Sequence, residues 1–93
     1  MPPPNSMSIP DPEGVRAALR EAIQNQITAN DPAETKETFN RLIAGGFGEG
    51  EAWRLLSAVL AVELAAILRE GRPFSLDAYV KALKALPDLP LDE

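Results

Sequence analysis

The chain has 93 residues, with 9 Lys plus Arg against 14 Asp plus Glu and a formal net charge of −5. It contains no Cys and no His. Disulfide frameworks, thiolate zinc sites, cysteine nucleophiles, imidazole metal sites and histidine-based catalytic triads are therefore excluded.

The charge is uneven. Between Gly14 and Leu86 the acidic and basic residues balance, and the excess is Asp11, Glu13, Asp88, Asp92 and Glu93. A neutral body argues against nucleic acid as a partner, because phosphate binding needs a net basic patch. The length suits one small domain. So small a chain leaves much of its surface uncovered, and a homo-oligomer, the dimer included, is the expected assembly.

Residues 1–10, MPPPNSMSIP, have neither the charged nor the apolar region of a signal peptide and read as a disordered, Pro-rich leader. The helical domain is expected over 11–87 and an acidic tail over 88–93.

The first helix is predicted over about 12–29. Asp11 is placed to cap it and Pro12 stands at its first position. Val15, Ala18, Leu19, Ala22, Ile23, Gln26 and Ile27 recur at three- and four-residue steps and form its inner face. The second, about 32–44, has Asp31 and Glu34 spaced as a capping box. Its inner face is Thr35, Phe39, Leu42 and Ile43, and Gly45-Gly46 ends it.

The third, about 49–70, is apolar on nearly every side between Leu55 and Leu68, as befits a central helix surrounded by others. That run is too short for a membrane span, which needs about 20 residues, so the expected location is the cytoplasm. The fourth, about 75–86, has Ser75 as cap, flanked by Phe74 and Tyr79 in the two staple positions. Its stripe is Leu76, Tyr79, Val80, Leu83 and Leu86, and Pro87 stops it. The predicted fold is all-α: four helices with short connections, neighbours antiparallel, in a bundle-like domain.

Glu63 is the lone charge in the apolar run of the third helix. A buried carboxylate needs a partner or a raised pKa. It reads either as a general base or metal ligand, or as half of a buried ion pair with an Arg of another helix, or as an edge residue whose head reaches solvent. Arg16, Arg20 and Arg54 are the expected partners; together they also read as an anion clamp or as solvated surface paired to Glu13, Glu21, Glu51 or Glu70. With Glu51, these residues form a candidate buried polar cluster: Glu63, Glu51, Arg16, Arg20 and Arg54. Trp53, the single Trp, is either core or an interface anchor. The run from Gly45 to Gly50 is not a P-loop, since no Lys-Ser or Lys-Thr follows it.

The strings Gln24-Asn25-Gln26-Ile27, Asp31-Pro32-x-Glu34, Arg41-Leu42-Ile43, Gly50-Glu51-Ala52 and Val59-Leu60-Ala61-x-Glu63 resemble a family of small bacterial all-helical proteins of unknown function. The resemblance spans about residues 12–86. Its members carry paired histidines on the first and third helices, a pattern that implies a metal site in them. The matching positions here are Arg16, Arg20, Gly50 and Arg54. Guanidinium cannot ligate a cation, so the resemblance implies that this chain lacks such a site.

No catalytic residue, cofactor or metal ligand is assigned. The leading expectation is a non-enzymatic protein–protein interaction or self-associating module, with no membrane or nucleic-acid partner. The alternative is an oxygen-only metal or catalytic site on Glu63 with Glu51 or Glu37. Nucleic-acid binding through Arg16, Arg20 and Arg54 is the third reading.

Overall fold

The computed structural model describes residues 12–89. Four helices follow one another: α1 (Pro12–Ala29), α2 (Ala33–Ala44), α3 (Glu49–Glu70) and α4 (Leu76–Ala85). No strand occurs among the described residues. The all-α class and the four spans agree with the sequence pattern. The leader, the Asp11 cap and the tail beyond Leu89 lie outside the described residues.

Each helix stops for a local reason. At the end of α1, Asn30 adopts a left-handed conformation (φ 54°). Its N–H donates to the Ile27 carbonyl and the Asp31 N–H to that of Gln26, using up orphan acceptors of the last turn. After α2 the left-handed residue is Gly46, at φ 103°. After α3 it is Gly71, at φ 64°, and the N–H groups of Gly71 and Arg72 both donate to the Ile67 carbonyl.

Among the helix starts, α4 is capped as expected, with Ser75 Oγ accepting from the Ala78 N–H at 3.2 Å. Phe74 and Tyr79 meet at 5.6 Å between ring centroids. The Asp31–Glu34 capping box does not form. The N-cap of α2 is Pro32, which makes no side-chain cap hydrogen bond. The helix begins one residue later than the box requires, leaving Asp31 outside it.

Every pair of helices packs closely along the backbone except α1 and α4, which meet through the hydrogen bond from the Tyr79 hydroxyl to Gln26. Thus α2 and α3 form the shared middle of the domain, with α1 and α4 on its flanks. Short connections fold successive helices back on one another, as the Phe39–Trp53 ring contact between α2 and α3 shows (5.6 Å). Along α2 and α4, Thr35 lies with Tyr79 at a shared partner, and further on Arg41 reaches Leu83 and Leu86. These two helices therefore run in the same direction.

The core gathers Ile23 of α1, Leu42 of α2, Leu55, Leu56, Val59 and Leu60 of α3, and Tyr79 and Leu83 of α4, with Leu86 just beyond it. Several residues expected inside are not. Val15, Ile43 and Leu76 are exposed, as is Ala18, while Thr38 is buried. Nor is α3 surrounded along its length: Leu64 is 42% and Leu68 84% exposed. The reason is coverage. With α1 contributing mainly from Leu19 onward, the outer side of α3 is left open, and apolar periodicity alone does not say which apolar residues have a neighbour.

Candidate functional site

The exposed outer side of the α1–α3 pair holds a groove of about 590 Å³. From α1 it is lined by Arg16, Ala17, Leu19 and Arg20, and from α3 by Gly50, Trp53, Arg54, Ser57, Ala58 and Ala61. Small residues make the space: glycine, serine and alanines on α3 face an alanine on α1. The floor is apolar and the charged atoms belong to three arginines.

Two of those arginines are already engaged. The Arg20 guanidinium lies over the Trp53 ring, 5.0 Å from its centroid, a cation–π contact. Arg54 donates to Glu51 at 2.8 Å, one turn away and exposed. Neither Arg16 nor Arg20 makes an ion pair among the described residues. Trp53 is half-buried, packed against the core on one side and lining the groove on the other. Its ring is thus only partly a core residue and forms part of the groove wall.

The five-residue polar cluster expected from sequence does not assemble. Glu63 is buried and ion-paired, but its partner is Arg72, from the segment between α3 and α4. Arg72 grips it with two donors, at 2.9 Å to Oε2 and 3.3 Å to Oε1. The Ser75 N–H donates to Glu63 Oε2 at 3.2 Å. The hydrogen bond from Arg72 holds the Glu63 carboxyl below the usual carboxylate range, against the opposing effect of burial. Arg72 also donates to Glu70 at 2.7 Å, and these partners keep its guanidinium firmly charged.

Glu63 therefore ties the end of α3 to the start of α4. Both of its carboxylate oxygens are engaged by Arg72, Glu63 does not line the groove, and Glu51 pairs with Arg54 through Oε2. Among the described residues no set of three acidic side chains is grouped to hold a metal ion. Glu37 is exposed on α2.

Two further polar arrangements escaped the sequence reading. Gln26 Oε1 accepts from Thr35 Oγ1 (2.7 Å) and from the Tyr79 hydroxyl (2.8 Å), joining α1, α2 and α4 inside the core. Burial pushes the Tyr79 phenol above its ordinary range. The amide oxygen only accepts, so this bond favours the neutral phenol too. Arg41 donates to the carbonyls of Leu86 (2.8 Å) and Leu83 (3.1 Å), closing the C-terminal end of α4 with a cation. Gln26 on an otherwise apolar face was the available signal for the first. Arg41 gave none because its partners are backbone carbonyls, and Arg72 gave none because it stands in the non-periodic segment between α3 and α4.

Arg16, Arg20, Gly50 and Arg54, the four positions matched to histidines by the resemblance, all line the one groove. No family model, curated protein or solved structure matches the chain. Among the described residues no helix is long and apolar enough to cross a membrane.

Proposed function

We propose that this chain is a non-enzymatic helical module that works by protein–protein contact, self-association first, through the outer side of α3. The observation that carries the reading is the pair Leu64 and Leu68. They lie one turn apart on the helix side that faces away from the core and are 42% and 84% exposed. Leucines that stand out on the same face as a ready-made apolar groove mark a surface that a partner covers. The charged groups point the same way. Glu63 is used to brace α4, two of the three groove arginines already have partners, and no carboxylate lines the groove to act as acid or base.

Light scattering coupled to size exclusion tests this. The expected result is a mass above one chain that rises with concentration, and a return to one chain in the double variant Leu64→Lys, Leu68→Lys without loss of helix content. A strictly monomeric wild-type chain at high micromolar concentration would overturn it.

A further inference from the structure

We infer that two copies pair through α3, antiparallel about a two-fold axis at the level of Val59, so that Leu64 and Leu68 of each copy fill the α1–α3 groove of the other. The inference rests on the self-association proposed above and specifies its geometry.

Positions 50, 54, 57, 61, 64 and 68 recur at alternating steps of four and three. That is the spacing of a helix seam with a period of 3.5 residues. The buried residues Leu55, Leu56, Val59, Glu63 and Ala66 lie on the other side of α3, so the seam looks outward. Its two ends differ. One end has Gly50 and Ser57 beside the 590 Å³ groove; the other has the two exposed leucines.

Antiparallel pairing places Leu68 opposite Gly50, Leu64 opposite Arg54, and Ala61 opposite Ser57. Leu68 then meets the space at Gly50, Leu64 lies along the aliphatic stem of Arg54, and the contact is self-complementary, as a two-fold interface requires. A Cβ built on Gly50 meets nothing within 4 Å, so the slot opposite Leu68 is open. Parallel pairing would set Leu68 against Leu68 and Gly50 against Gly50, and leave both grooves empty.

Charge agrees. On the flank of the seam, Glu51 of one copy comes alongside Ala65 and Arg69 of the other, opposite charges on neighbouring turns. Arg69 has only a 3.6 Å exposed contact with Glu70, which leaves it available. An anionic small molecule suits the groove less well, because Arg20 lies on Trp53 and Arg54 on Glu51.

The chain has no Cys, so placed cysteines report pairing without interference. Gly50→Cys and Leu68→Cys are made as separate chains and mixed under mild oxidation; both sites are open in the single chain, so folding is preserved. The expected result is a disulfide-linked dimer from the mixture, several-fold more abundant than from either variant alone. In addition, Gly50→Leu should raise the dimer Kd about tenfold or more by overfilling the slot, with no loss of melting temperature at concentrations below the wild-type Kd, where both chains are monomeric.

If the wild-type chain is dimeric yet Leu68→Cys cross-links to itself as readily as to Gly50→Cys, the register falls and the proposed function stands. If the wild-type chain is monomeric, both fall. If octanoate, an anion with an apolar body, abolishes the cross-link while the wild type stays dimeric, the groove belongs to a small anion and the register falls.

Discussion

Removing Glu63 tests the one buried carboxylate of the described chain. In Glu63→Ala, Arg72 loses contacts at 2.9 and 3.3 Å and the Ser75 N–H loses its acceptor. The loss is smaller than for a fully enclosed pair. The Arg72 side chain is 30% exposed and keeps Glu70 at 2.7 Å, so water and a second carboxylate take up part of its charge. The expected cost is about 1–2 kcal/mol, and each kcal/mol lowers Tm by about 4–8 °C in a domain of this size. Glu51→Ala is the control: its pair with Arg54 is exposed on both sides, and exposed pairs are worth about 0–1 kcal/mol.

The pH dependence gives the sign. The Glu63 carboxyl is held below the usual carboxylate range in the folded chain. Its charge therefore stabilises fully above the unfolded value, and that contribution is lost as pH falls through the folded one. The gap in Tm between wild type and Glu63→Gln should be widest near neutral pH and close in acid. Thermal melts followed by circular dichroism read both. Equal stability of Glu63→Ala and Glu51→Ala at neutral pH, or a gap that widens in acid, would refute the argument.

Tyr79→Phe should cost about 1 kcal/mol, since Thr35 still satisfies Gln26 Oε1. Combined with Thr35→Val it should cost more than the two single changes added, because the Gln26 oxygen is then stranded; chemical denaturation of the four chains measures this. Arg41→Ala should speed amide hydrogen exchange at Leu86 and Asp88, the turn whose carbonyls Arg41 binds, while exchange in α3 is unaffected. Arg20→Ala should shift the fluorescence of Trp53, the single Trp, by removing the cation over its ring, at a stability cost of about 0.5–1 kcal/mol.

Local structure was legible because local rules decide it. Capping at Ser75, glycine after α2 and α3, and three-four periodicity located all four helices within a residue or so. The capping box at Asp31 failed because the start of a helix is a choice between adjacent residues, and Pro32 took it. The partner of Glu63 failed for a different reason. Periodicity places a residue on a face of its own helix and says nothing about a connecting segment. Arg72 follows a left-handed glycine, and only the folded path returns it to a carboxylate nine residues earlier. The same limit hid the exposure of Leu68. An apolar residue on a nearly all-apolar helix looks buried until one knows how many neighbours that helix has.

Coverage is what links the fold to the proposed function. With α1 and α4 on opposite flanks of the α2–α3 pair, each side of α3 is closed by whatever large residues its neighbour brings. On the α4 side these are Tyr79, Leu83 and the Leu86 that follows, all buried. On the α1 side Leu19, Ala22, Ile23 and Ile27 close the later turns, but the first turns offer Arg16 and Ala17, and α3 answers with Gly50, Ser57 and Ala58. Short side chains on both helices leave a gap that neither can fill alone. The leucines able to fill it stand at the far end of the same helix, out of reach within one chain. A single copy therefore has an empty slot and two unsheltered leucines. An antiparallel pair of copies settles both at once, with no residue beyond those the chain already has.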